Sequence, residues 1–246
     1  MRELARRASP FGVIRVQERH SDGARLYCLG AGVQTMVQPG GVSLFGYVHA
    51  IKLMLRGARD ILIIGGAGGS LATMLARNGH MVTVVDVDPA AEHLARAYFW
   101  LEPSVTWVTA DAFDYLRTLS IQFDAVVVDA CDGAGLIEPF AAPENLLAMM
   151  AAVRPIGSLV LNLVGEDGAP RWGFDLSGAI AASGYFTTLF RPEDGWEGNE
   201  ILRVSAHDTL GALDLGDLHD RPAEARTYLL SLRAHPLAPA GRAAAR

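Results

Sequence analysis

The chain has 246 residues, half of them hydrophobic, which is enough for one large α/β domain with a small appendage. A net charge of −6, with the basic residues dispersed as arginine, argues against a nucleic-acid footprint, and no apolar run reaches membrane-spanning length without a charge or a glycine break. Cys28 and Cys131 lie far apart without metal-ligand spacing, and Met1-Arg2-Glu3-Leu4 leads into a charged stretch, so the expectation is a cytoplasmic protein with no metal, no nucleic-acid partner and no membrane partner.

The first segment, about Phe11 to Gln38, reads as short strands: Phe11–Val16, a turn at His20-Ser21-Asp22-Gly23, then Arg25–Leu29 and Val33–Val37. Asp-Gly between two such runs is a strong hairpin signal. After Pro39-Gly40-Gly41 the pattern becomes helical, with Leu44, Val48, Ile51 and Leu55 on one face, and Arg56-Gly57 ends it. From Asp60 strands and helices alternate: Ile61–Ile64, Ser70–Asn78, Met81–Val85, Ala90–Leu101, Val105–Thr109, Ala112–Leu119 and Ala125–Val128. Strands written as continuous apolar runs imply burial on both faces, hence a parallel sheet between helix layers. A helix Pro143–Val153, a strand Ser158–Leu163, a helix Phe174–Ser183 and two strands, Tyr185–Phe190 and Glu200–Val204, complete the pattern, with the last pair as an antiparallel edge. Beyond Asp208 one helix is expected at Pro222–Leu232, then a small, basic, disordered tail. The divisions are 1–41, an N-terminal β-hairpin region; 42–208, a Rossmann-like nucleoside-binding domain; and 209–246, the C-terminal helix and tail.

Chemistry concentrates between Ile61 and Gly133. Gly65-Gly66-Ala67-Gly68-Gly69 follows the first strand of the alternating region, Asp86 ends the next about 20 residues later, and Asp129 ends a further strand. In an open parallel sheet the carboxyl ends of the strands line one crevice, so these groups should converge on a nucleoside, with the glycines allowing close backbone approach and Asp86 gripping two ribose hydroxyls. A dinucleotide fingerprint fits poorly, because counting G-x-G-x-x-G from Gly66 puts Leu71 at the last position. Each acid also has a plainer reading: Asp86 and Asp88 as helix-start acids, Asp111 as a helix N-cap, Asp129 and Asp132 as a polar turn before Gly133.

Taken in order, GGAGGSLATML, VVDVDP, TADAFDYL and VVVDACDG resemble the spermidine synthases and their relatives, the aminopropyltransferases, and SPFGVIRVQE with Gly32-Val33-Gln34 resembles the β-region those enzymes carry ahead of the nucleotide-binding domain. The resemblance covers roughly Ser9 to Ala206 and implies a seven-stranded methyltransferase-type sheet of class I AdoMet-dependent type. It implies decarboxylated S-adenosylmethionine, or S-adenosylmethionine, as co-substrate, an amine acceptor and a homodimer. It assigns Gln34, the loop Gly65 to Gly69, Asp86 with Val87, and Asp111 with Ala112 to the nucleoside. It makes Asp129 the group that deprotonates the attacking amine and Asp132 a second acid that holds the substrate's charge, and it puts Tyr47 and His49 on the other side of the cleft. Glu166 and Trp172, just beyond the Ser158–Leu163 strand, and Trp196 are expected to cap the acceptor pocket, where the family's tyrosine-bearing segment is missing. The loop departs from the family's GGGDGG-like pattern: Gly68 stands in place of the aspartate associated with the donor's terminal ammonium. Aminopropyl transfer is therefore the leading expectation. An AdoMet-dependent methyltransferase, or another AdoMet alkyl-transfer or cyclising enzyme, and a non-catalytic nucleoside-binding homologue are the alternatives.

Overall fold

The computed structural model describes residues 1–131, 138–164, 173–193, 198–208, 213–216 and 218–239. It opens with a four-stranded antiparallel meander, β1 (Arg2–Ser9), β2 (Gly12–Glu18), β3 (Arg25–Leu29) and β4 (Gly32–Val37), in that spatial order. β1 is one strand more than the sequence pattern suggested. Its charges, Arg2, Glu3, Arg6 and Arg7, hide its strand character and suit a sheet edge, where charge discourages unwanted pairing.

The alternating region forms α1 (Gly46–Met54), β5 (Asp60–Ile64), α2 (Ser70–Ala76), β6 (Met81–Asp86), α3 (Ala91–Tyr98), β7 (Thr106–Thr109), α4 (Ala112–Thr118), β8 (Phe123–Val128), α5 (Pro143–Ala151), β9 (Val153–Leu163), α6 (Gly173–Ala182), β10 (Phe186–Pro192), β11 (Glu200–Ser205), α7 (Ala223–Ser231) and β12 (Leu232–Leu237). The sheet runs β12-β10-β11-β9-β8-β5-β6-β7, with β5 to β9 parallel and β11 antiparallel to both of its neighbours. The methyltransferase-type sheet is thus present, with an eighth strand, β12, paired antiparallel to β10. That strand follows directly on α7, so the C-terminal segment continues the sheet through Leu237. Residues 240–246 of the expected disordered tail lie outside the described residues.

Helices cover both faces, as the uninterrupted apolar strands require. In β5, Ile61 and Ile63 enter one core with α1, α2 and α7, while Leu62 and Ile64 enter the other with α5 and α6. This is the period-two alternation of a strand buried on both sides, and each such side chain contributes roughly 1.5–3 kcal/mol when fully buried. A third apolar cluster, Ile14, Val16, Tyr27 and Val37 with Leu94 and Phe99, fastens the N-terminal meander onto α3. Arg25 reinforces this junction by donating to the Tyr98 carbonyl at 2.7 Å and laying its guanidinium 4.2 Å above the Trp100 ring. From β5 the chain moves outward through β6 and β7, then returns to the other side of β5 as β8, so the strand order reverses between β5 and β8. A ligand site is expected at the carboxyl ends of those two strands.

Candidate active site

Gly65 follows β5 at φ +87°, and a Cβ there would lie 2.6 Å from the Asp129 carbonyl oxygen, so the ends of β5 and β8 can close together only around a glycine. The Asp129 amide donates to the Ile64 carbonyl at 2.8 Å, which fixes the register of that closure. The loop is held from behind by Asp86, whose Oδ2 accepts from the amides of Gly66 (2.7 Å) and Ala67 (3.2 Å) while Oδ1 accepts from the Asp88 amide at 2.8 Å. A carboxylate offers about four acceptor positions. Three are taken by backbone, which leaves one for a ribose hydroxyl where the sequence suggested a grip on two.

Asp88 itself is buried, accepting from Ser9 Oγ at 2.5 Å and from the Ala90 amide at 2.9 Å, and so ties the β1–β2 turn to the start of α3. Asp111 caps α4, accepting from the Phe113 and Asp114 amides at 2.9 Å each, with Ala112 buried beneath it. Val87 is exposed beside Asp86. Gly68 turns away from the crevice: its amide donates to Thr35 Oγ1 at 3.1 Å, and a Cβ would come within 2.9 Å of Thr35 Cγ2 and 3.1 Å of the Phe99 ring. This packing leaves no room for a side chain at position 68.

Asp129 is the centre of the site. The residue keeps some surface, but its carboxyl is enclosed, and burial pushes it up to about 7 from the ordinary 3.8. Asn162 Nδ2 donates to Oδ1 at 2.7 Å and the Tyr47 hydroxyl faces Oδ2 at 3.5 Å, and both oppose that rise. Burial, with the Asp129 charge added, raises Tyr47 well above a phenol's usual value, so it stays a neutral donor. A carboxyl near 7 is poised to exchange a proton at neutral pH.

Two cavities meet here. The smaller, about 30 Å³, is walled by Gly65, Gly66, Ala67 and Gly69 of the loop with Gln34, Tyr47, Asp129 and Cys131. The larger, about 470 Å³, lies between the N-terminal meander, the start of α1, the end of β9 and α7, and shares Gln34, Tyr47 and Cys131 with the first. Its walls are mostly apolar (Val33, Met36, Leu44, Phe45, Val164), with Glu224 and Arg19 as the charged groups and Asn162, Asn199 and Tyr228 as polar ones. The Cys131 thiol donates to Gln34 Oε1 at 2.8 Å and orients that amide between the two spaces.

The structure therefore brings together Gln34, Tyr47, most of the glycine loop and Asp129. It does not bring His49 to either cavity: the ring is buried, with Nε2 on the Ser43 carbonyl at 2.8 Å and Nδ1 3.2 Å from Arg221, and burial lowers its pKa. Helical periodicity explains the difference, since position 49 falls two residues from Tyr47 and so on another side of α1. Asp132, Glu166, Trp172 and Trp196 lie outside the described residues. Sequence reasoning missed Asn162, Asn199 and Tyr228. Asn162 did carry a signal, because an asparagine inside the apolar run Leu159–Leu163 is buried and must find a partner.

A glycine loop and Asp129 face each other at the strand-order reversal of an open, mostly parallel sheet, which is the architecture of the methyltransferase-type fold. Residues 47–162 match the family model of the spermine/spermidine synthase domain. Among curated proteins, polyamine aminopropyltransferase 1 of Streptomyces coelicolor is 31% identical over 145 residues, 54% of this chain and 27% of that protein. The polyamine aminopropyltransferase of Vibrio vulnificus is 32% identical over 110 residues, 42% of this chain and 36% of that protein. The matches thus span about a third of the length of these relatives. Among solved structures, a probable spermidine synthase from Corynebacterium glutamicum superposes with a TM-score of 0.71 at 18% identity, over 94% of this chain and 89% of that one. Human methyltransferase-like protein 13 in complex with SAH gives 0.52 at 20% identity, over 76% and 90%. Over part of its length the chain is thus similar to the aminopropyltransferases, and its fold is of the methyltransferase type.

Proposed function

We propose that this chain transfers an aminopropyl-type alkyl group from a sulfonium nucleoside of the decarboxylated S-adenosylmethionine type to an amine acceptor. The observation that carries this reading is the enclosed Asp129 carboxyl, raised to about 7 against the glycine loop and in contact with Tyr47 and Asn162, which line the 470 Å³ cavity. The donor set suits a nucleoside: one open acceptor position on Asp86 for a ribose hydroxyl, the exposed Val87 for a base face, and Asp111 with the Ala112 amide for an adenine edge. When bound, such a donor supplies an electrophilic carbon beside a positively charged sulfur.

Asp129 takes one proton from the acceptor's ammonium, which frees the nitrogen lone pair. As the new N–C bond forms and the C–S bond breaks, the sulfur keeps the bonding pair and becomes a neutral thioether, the nitrogen becomes a secondary ammonium, and the protonated Asp129 then returns its proton to solvent and re-ionises for the next turnover. Tyr47 remains protonated and Asn162 holds Oδ1, so Oδ2 is the oxygen left to face the amine. The apolar walls exclude water and strengthen these interactions. The remaining contribution is positioning, since displacement beside a sulfonium needs no covalent enzyme intermediate.

A methyl-transfer reading is supported by Gly68, because no side chain fits there and no loop carboxylate meets a donor ammonium. Calorimetric titration with decarboxylated AdoMet, AdoMet and methylthioadenosine, followed by single-turnover assays with a diamine, tests the choice. Preference for the decarboxylated donor with alkylated amine as product is the expected outcome. Preference for intact AdoMet favours methyl transfer, and binding without turnover leaves a non-catalytic homologue.

A further inference from the structure

Behind Asp129 runs a chain of hydrogen bonds that ends on the C-terminal helix. Tyr228 of α7 donates to the Asn199 backbone carbonyl at 2.5 Å, Asn199 Nδ2 donates to Asn162 Oδ1 at 2.8 Å, and Asn162 Nδ2 donates to Asp129 Oδ1 at 2.7 Å. Each link constrains the next. An asparagine amide has two chemically different ends: the Asp129 carboxylate only accepts and so takes the Nδ2 end, and Asn199 Nδ2 satisfies the Oδ1 end that remains. Asn162 is only 2% exposed, so its amide relies on these two partners. Asn199, in turn, precedes β11 beside Gly198, where a Cβ would press on the Tyr228 ring at 3.0 Å, so the segment is seated directly against α7.

We propose that Asn162, oriented by Asn199 and Tyr228, is the positioning residue of Asp129: it occupies Oδ1, leaves Oδ2 for the substrate nitrogen, and keeps the buried carboxyl able to ionise at neutral pH. The role in transfer rests on the function proposed above, whereas the control of Asp129 ionisation does not. Among the described residues the side chains that meet the Asp129 carboxyl are Tyr47 from α1 and Asn162 from β9, and Cys131 and Tyr228 stand close enough to act on Tyr47. Among the described residues no lysine or arginine offsets its burial, so the two hydrogen-bond donors are what hold the carboxyl down.

A hydrogen bond to a charged group is strong enough to move a pKa by about one to two units. Asn162→Ala should therefore raise Asp129 by about that much. Its ionised fraction at pH 7 would fall about 5- to 50-fold, while at about pH 10 it would be restored. A merely structural loss would lower activity at every pH. The test is a pH titration of the Asp129 carboxyl by 13C NMR in the full-length chain, assigned with Asp129→Asn, for wild type, Asn162→Ala, Asn199→Ala and Tyr228→Phe. The expected result is a large upward shift for Asn162→Ala and smaller shifts in the same direction for the other two.

An Asp129 titration that stays in place in a folded Asn162→Ala chain overturns the proposal. If that variant does not fold, an unmoved titration in Asn199→Ala does the same. The titration needs neither donor nor amine, so it reads the relay even in a chain without transfer activity. Shifted titration with an unshifted pH–rate profile would instead count against Asp129 as the base.

Discussion

The burial of Asp129 makes a prediction that opposes stability to activity. Its carboxyl sits near 7 in the folded chain against 3.8 ordinarily, so between those values the folded state holds a proton that the unfolded state has released. Stability from this group is fully present below about pH 4, is lost as pH rises toward 7, and changes no further above that. Three units at about 1.4 kcal/mol each set an upper limit of about 4 kcal/mol on the penalty at pH 8. Asp129→Asn keeps the shape and an oxygen that can still accept from Asn162, but it carries no charge to desolvate. The mutant should therefore match wild type near pH 4, exceed it increasingly up to about pH 7 and hold that margin at pH 8, while transfer falls about 10²- to 10⁴-fold for want of a base. Urea unfolding of the pair followed by tryptophan fluorescence from pH 4 to 8.5 isolates the effect, because every other titrating group cancels in the difference. A mutant no more stable than wild type at pH 8, or a gap that does not close on acidification, would refute the claim that Asp129 is a strained, buried acid.

Two further substitutions probe the supports of the site. Asp86→Ala strands the amides of Gly66, Ala67 and Asp88, so both unfolding free energy and affinity for methylthioadenosine should drop by about 1.5–3 kcal/mol; thermal unfolding and calorimetry that both stay at wild-type values would show that the loop needs no such anchor. Gly46→Ala places a Cβ 2.3 Å from Tyr228 Cβ, which should cost about 1–3 kcal/mol through overpacking of α1 against α7. Unchanged stability, with unchanged amide exchange in α7, would disprove that contact.

The sheet was legible because its order and burial are written locally. Five apolar strands with short helices between them admit few arrangements, and Asp129 follows a strand beside the reversal of strand order. β1 and β12 were not legible, since both are edge strands whose charged or proline-containing sequences lack alternation; β12, Leu232–Leu237, includes Arg233 and Pro236. For Asp86 and Asp111 the sequence could not reveal that backbone amides already occupy most of their acceptor capacity, because that depends on how the loop folds back. Gln34 and Tyr47 were found through resemblance to known sequences, not through any pattern of their own. His49 shows the complementary failure: a chemically versatile side chain near the site, turned by two helical positions into the core.

The C-terminal segment carries the weakest pattern in the sequence and yet completes the wall of the site. A boundary at residue 208 would leave Asp129, Asn162 and the glycine loop in one unit, yet the wall of the larger cavity includes Glu224 and Tyr228 of α7. That helix is fixed twice, by the close fit of Tyr228 on Gly46 one residue before Tyr47 and by β12 extending the sheet from β10. Tyr47 and Asn162, the two groups that touch the Asp129 carboxyl, thus come from separate elements that both rest on Tyr228, the first through α1 packing and the second through Asn199. Displacing α7 would loosen both contacts at once, so the carboxyl that the strand end supplies acquires its geometry and its ionisation from a segment about a hundred residues further along the chain.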